Sequence, residues 1–366
     1  MTSFIKYEKL FKNNKISEMT DEKSLLWLKL RSISRKEILL KFVTEISLFK
    51  NGEKINGKKL FETIFEKCEN ESKNYSNQID IFIKNNLNIL SEKDEQKLVS
   101  ELYKLKFFDW GGDYKNNLDR FLVDRFIKKI PSFDGIKNAL DFEIKKATDG
   151  YVQCSWYNHW STIVIENIFK NHSKIISAIG QVKQIDFFLD DIPFDLKVTY
   201  LPVNFIEQKR KEKKLRTEFA VYKSIAKKYK ITFNLSSKNE DIIYEIREKI
   251  YNTKDTAAIA EIEEINDFRK KVLDECIKNP RELIYNLYEQ QGQMRFDASN
   301  RLFLILIDKN NFEDSWKLKR DTVFLKKIIF DALNKFDKNR ILKNPIKFKY
   351  DEKDYKSFAD VIFVIK

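Results

Sequence analysis

The stretch Lys183-Gln-Ile-Asp-Phe-Phe-Leu-Asp-Asp-Ile-Pro-Phe-Asp-Leu-Lys-Val-Thr199 decides how this chain is read. Branched and aromatic residues dominate 183–189 and 192–201, so both runs are expected as strands. Asp190-Asp191 lies between them and suits a tight hairpin turn. A turn centred there sets Asp186 opposite Asp195, with Cβ atoms about 5 Å apart. Lys197 then lies about 6.8 Å along the strand from Asp195, within reach of both acids. Asp195 and Lys197 alternate with Phe194, Leu196 and Val198, so they share one strand face while the other is apolar. Two directly opposed carboxylates repel each other, and a divalent cation between them resolves that repulsion.

Acid-x-Lys pairs are common in this chain. Glu95/Lys97, Asp113/Lys115, Asp351/Lys353 and Asp354/Lys356 all fit. What sets Asp195/Lys197 apart is its apolar interleaving. A third acid, Glu166, stands among Ile163, Val164, Ile165, Ile168 and Phe169 in an aromatic-rich helical run over 156–169. A carboxylate buried in such a stretch needs a partner, whereas an exposed helical Glu does not.

The bulk composition narrows the alternatives. The 366 residues carry a net charge of +13, and 42% are hydrophobic, enough for a packed core. Only 8 Gly and 5 Pro occur, which excludes collagen-like and many-turned all-β architectures and favours long helices. Cys68, Cys154 and Cys276 form no CxxC pair, which argues against structural zinc and for a reducing compartment. His159 and His172 are the only histidines, so chemistry needing several is excluded. No apolar run approaches the roughly 20 residues that span a bilayer, so a cytoplasmic protein with no membrane partner is expected. The run Gly52–Lys58 has most of a phosphate-binding loop, but Lys59 stands where Ser or Thr is needed. Nucleotide hydrolysis is set aside.

Helical spacing of apolar residues runs from Lys6 to about Gly150. Beyond it, strands alternate with helices, with further buried strands expected at 301–308 and 358–366. The expected division is a helical region over 1–150, for DNA recognition, partner binding or dimerisation, and a mixed α/β domain over 151–366. A basic helical insertion at about 204–290 interrupts the second.

The acid on a helix, the acid on one strand and the acid-x-Lys on the next resemble the PD-(D/E)XK nuclease superfamily, in particular proteins of the restriction-endonuclease type. The resemblance covers roughly residues 155–200, and Ile185 stands where the family often has Pro. It implies a restriction-endonuclease-like mixed sheet flanked by helices. It further implies Mg²⁺-dependent hydrolysis of DNA phosphodiesters, with Mn²⁺ as a substitute, in type II restriction or antiphage defence. In that role Asp186 and Asp195 bind the metal, Glu166 joins its shell, and Lys197 positions the attacking water.

Residues 207–230 hold ten basic and three acidic side chains, net +7. Lys209, Arg210, Lys211, Lys213, Lys214 and Arg216, together with Lys183, are therefore the expected nucleic-acid contacts. A solvated charged helix explains the same run. Two other readings stay open. One is a DNA-binding or regulatory protein on a nuclease-like scaffold without catalysis; the other is a helical scaffold whose hairpin charges are superficial. A two-fold homodimer or a partner defence protein is compatible with all of them.

Overall fold

The computed structural model describes residues 2–50, 57, 59–106, 108, 118–180, 184–235, 239–290, 299–350 and 352–366. It is a mixed α/β protein. The amino-terminal helices are α1 (Ser3–Lys12), α2 (Glu22–Ser32), α3 (Lys36–Glu45), α4 (Leu60–Cys68), α5 (Ser72–Asn86), α6 (Glu92–Leu102), α7 (Leu118–Leu122) and α8 (Phe133–Ala139). The long helix α9 (Lys145–Lys170) follows. It passes through residue 150 without a break, so the expected domain limit falls inside one rigid rod. Strands β1 (Ile175–Ser177), β2 (Phe187–Leu189) and β3 (Ile192–Tyr200) come next.

The chain then makes helices α10 (Val203–Glu212), α11 (Glu218–Lys228), α12 (Asn239–Thr253), α13 (Thr256–Lys278) and α14 (Arg281–Glu289) before β4 (Arg301–Ile307). Helices α15 (Thr322–Asn334) and α16 (Lys338–Lys343), the hairpin β5 (Ile346–Tyr350) and β6 (Lys353–Ser357), and β7 (Ala359–Ile365) complete it. The main sheet has the order β1-β2-β3-β4-β7. β1, β2 and β3 pair antiparallel, while β3, β4 and β7 pair parallel.

Helices cover both faces of the parallel part, which is why β4 reads as an unbroken apolar run after Arg301. Leu302, Leu304 and Leu306 pack with Ile165, Ile168 and Phe169 of α9 and with Leu325, Ile329 and Leu333 of α15. Phe303, Ile305 and Ile307 pack on the opposite face with Val272 and Leu273 of α13 and Leu283, Ile284 and Leu287 of α14. A third core, built on Trp27, Phe42 and Phe65, belongs to the amino-terminal helices and takes in Ile176, Ile185 and Phe188 from the sheet edge. That contact explains Phe188, an odd residue for a solvated hairpin face: it is fully buried under the amino-terminal helices.

The same helices grip the hairpin turn. Lys29, itself buried, sets its ammonium 2.8 Å from both Asp80 and Asp191, and Lys338 reaches Asp191 at 3.4 Å. At Gly180 the amide donates to the Ser32 carbonyl, and a Cβ there would lie 2.6 Å from that oxygen. Only a residue without a side chain lets the two backbones approach so closely.

Several expectations are corrected. The charged run over 207–230 is two helices, because Lys214 turns left-handed (φ 56°) between α10 and α11. Later in the same insertion, α12 and α13 are separated at Lys254, which is also left-handed (φ 57°). β1 and the β5–β6 hairpin were not expected from the sequence. The Gly52–Lys58 run lies outside the described residues except for Gly57. Cys68, Cys154 and Cys276 are buried free thiols. Among the described residues no helix is long and apolar enough to cross a membrane.

Candidate functional site

The β2–β3 hairpin forms in the expected register. Phe187 pairs with Phe194, Phe188 with Pro193 and Leu189 with Ile192. Asp190 and Asp191 both have positive φ, 47° and 67°, as a two-residue turn of type I′ requires.

Asp186 departs from expectation at the end of that ladder. Its amide donates to the carbonyl of Phe194 (2.8 Å), the residue already paired with Phe187. Its carboxylate Oδ2 accepts the amide of Leu196 at 2.7 Å, taking the place of a strand carbonyl. Asp186 thus steps out of the ladder instead of standing squarely opposite Asp195. The step gives one carboxylate a donor and eases the direct opposition of two like charges.

Asp195 is buried, at 7% exposure, on the face it shares with Lys197. Its Oδ1 lies 3.2 Å from Lys197 Nζ and its Oδ2 lies 3.2 Å from Arg301 Nη2. That second contact is an ion pair without hydrogen-bond geometry, so Oδ2 is buried and accepts no hydrogen bond among the described residues. Lys197 remains partly open to solvent.

Glu166 reaches the site from α9. The ring of Phe169, one turn further on, stacks on Phe187 at 5.3 Å and 17°, seating the helix beside the end of β2. Glu166 is half-exposed, with Lys170 Nζ 3.4 Å away. It is therefore not the buried acid that its apolar neighbours suggested. Glu166, Lys170, Ser177, Gly180 and Asp186 line a cavity of about 180 Å³.

The electrostatics join all four expected residues. The Asp186 carboxyl is raised from 3.8 to about 6, chiefly by desolvation and then by the negative charge of Asp195, with a smaller push from Glu166. The Leu196 amide and the Lys197 ammonium oppose this rise. Asp186 is nevertheless exposed to solvent at the cavity, so water offsets much of that desolvation. Solvent contact screens the energetic consequence, holding it below about 1 kcal/mol.

The folded state holds the Asp186 proton more tightly than the unfolded chain does. The contribution of Asp186 to stability therefore falls as pH rises from about 4 to about 6, and is flat above. Asp186→Asn removes that fall. In urea melts, its stability relative to the native chain should be higher at pH 7 than at pH 4. A difference that does not change with pH would contradict the assignment.

Sequence reasoning missed two residues that hold the site together. The Asn300 carbonyl accepts the Asp195 amide (2.9 Å), while its side chain donates to the Pro193 carbonyl (3.1 Å) and accepts the Phe358 amide (3.0 Å). One asparagine thereby ties together the ends of β3, β4 and β7. Arg301 is fully buried and paired in register with Asp195. It lies more than a hundred positions downstream, and no local pattern announces a parallel partner at that distance.

No family model, curated protein or solved structure matches the chain. The resemblance to PD-(D/E)XK nucleases therefore stands on Glu166, Asp186, Asp195 and Lys197 themselves.

A hard divalent cation suits the donors present. Mg²⁺ is commonly held by one or two carboxylates with water completing its shell. Asp186 and Asp195 supply two such carboxylates, and Asp195 Oδ2 has an unused lone pair. Among the described residues no three His, Cys, Asp or Glu side chains form a closed ligand cage as they stand.

Two of the expected nucleic-acid contacts are buried. Lys209 is buried and bridges Glu212 (3.0 Å) and Glu282 (2.5 Å). Arg210 is buried too; its Nε donates to the Arg216 carbonyl (2.6 Å) and its guanidinium lies over Phe268. Both serve the packing of the insertion, and neither is available to a polyanion. Lys213 pairs with Glu275 at 2.8 Å. Lys211, Lys213, Lys214 and Arg216 are exposed. Lys183 lies outside the described residues. This segment also leaves β3 at Leu201, six residues or roughly 20 Å along the strand from Asp195. His172 is buried against Asn334 and Phe330, and His159 packs on Trp160.

Proposed function

We propose that this chain is a divalent-metal-dependent phosphodiester hydrolase, an endonuclease acting on DNA with the PD-(D/E)XK arrangement of residues. Such an activity fits restriction or antiphage defence. The observation that carries the reading is geometric: Glu166 and Asp186 line one cavity, the Leu196 amide ties the Asp186 carboxylate to β3, and on that strand Lys197 pairs with Asp195.

In this reading Asp186 and Asp195 would hold the metal, and Glu166 lines the adjoining cavity. When bound, such a metal would supply Lewis-acid polarisation of the phosphodiester and a more acidic water. The protein's own residues do the positioning. The Leu196 amide fixes the Asp186 carboxylate, Asn300 fixes the Asp195 backbone, and Lys197 brings positive charge to phosphate oxygens and orients the nucleophile.

A second reading has its own observation. Lys197 and Arg301 already neutralise Asp195. A non-catalytic nucleic-acid-binding scaffold would use the acids only in this way. Incubation with supercoiled plasmid separates the two. The hydrolase nicks or linearises it with Mg²⁺ or Mn²⁺ and stops with EDTA. Plasmid binding with no cutting under any divalent cation would select the scaffold.

A further inference from the structure

A second feature lies at the same end of the sheet as the acids. A groove of about 510 Å³ runs between the β5–β6 hairpin and the segment after α1, lined by Lys15, Lys347, Lys349 and Lys356 with Glu18 and Asp354. Lysines outnumber acids four to two. Two of them, Lys347 and Lys356, are directly opposed across the β5–β6 ladder. Lysines so placed add their positive potentials on one face of the hairpin, which suits a polyanion. Lys15 pairs with Glu18 at 3.6 Å, and Lys349 stands opposite Asp354 in register.

Both walls of the groove connect to the acid pair by short routes. Asn14, beside Lys15, accepts a hydrogen bond from Gln184 (2.7 Å), two residues before Asp186. Phe358, two residues beyond Lys356, donates to Asn300, the residue whose carbonyl holds the Asp195 amide. By contrast, the α10–α11 lysines follow the other end of β3.

We propose that this groove is the track for the phosphodiester backbone of a nucleic acid entering the acid pair. The inference rests on the hydrolase reading for the direction of travel, but its binding test is independent of cleavage. A run of phosphates suits lysines spaced along an open groove, and each contact releases counterions.

The test is fluorescence anisotropy in EDTA, with a labelled 30-base-pair DNA duplex and a single-stranded RNA of the same length. Lys347→Gln/Lys349→Gln should weaken binding at least tenfold at 0.1 M salt and lower the salt slope by about 2. Lys347→Glu places an acid opposite Lys356, so it relieves the repulsion and keeps the hairpin folded; it should weaken binding as well. Lys211→Gln/Lys214→Gln should change the affinity less than threefold. The proposal is overturned if both groove variants bind within threefold of the native chain, or if the native chain binds neither probe. Groove-dependent binding to either probe supports it. If that binding holds while no cation supports cutting, the groove stands and the hydrolase reading falls.

Discussion

Asp186→Asn and Lys197→Ala should each lower Mg²⁺-dependent plasmid cleavage by about a thousandfold, a loss of the size seen when one group stabilising transition-state charge is removed. Asp186→Asn keeps an oxygen that can accept the Leu196 amide, so the hairpin is retained while a negative metal ligand is lost. Lys197 is partly solvated and its removal leaves the core intact, so its loss should appear in rate and not in folding. Asp195→Ala is a poorer test, because it leaves Arg301 buried without the carboxylate beside it. Circular dichroism on the two preferred variants establishes that the fold survives. Cleavage within tenfold of the native rate in Asp186→Asn would remove that residue from the site.

The second large effect concerns stability. Arg301→Ala should cost about 3–5 kcal/mol, the range for removing one partner of a buried ion pair. Arg301 is fully buried; its guanidinium faces Asp195 Oδ2 at 3.2 Å and lies 5.5 Å from the Tyr288 ring centroid, and its Nε donates to Ser299 Oγ at 3.4 Å. Alanine leaves a cavity and a buried carboxylate with only Lys197 to balance it. Arg301→Lys keeps the charge without the planar guanidinium, and should recover part of the loss. Urea unfolding with an unchanged m-value gives the number. A change below 1 kcal/mol would mean that Asp195 is satisfied without Arg301.

Much of the hairpin was legible because its determinants are local. Two β-like runs flank Asp190-Asp191, residue types that tolerate left-handed backbone, and the three observed pairs follow from that turn alone. That Glu166 and Asp186 line one cavity was foreshadowed only by a resemblance in order and spacing. The displacement of Asp186 was not, since it depends on which amide of β3 lacks a carbonyl partner. Asn300 and Arg301 were hidden for a related reason: parallel pairing joins β3 to a strand beyond five intervening helices. The basic run misled because Glu275 and Glu282, which neutralise Lys213 and Lys209, come from α13 and α14. Charge density along the chain says nothing about partners brought in from elsewhere. The β5–β6 hairpin was not expected because lysines recur through both of its strands.

The acid pair as a metal site is the centre of this account, and Mn²⁺ binding tests it without reference to any substrate. Free Mn²⁺ gives a six-line electron paramagnetic resonance signal that weakens when the ion is bound. The native chain should take up Mn²⁺ at a site that Mg²⁺ competes for, and Asp186→Asn should weaken that uptake at least tenfold, in line with the loss of a charged ligand. No uptake by the native chain, or equal uptake by Asp186→Asn, would contradict it.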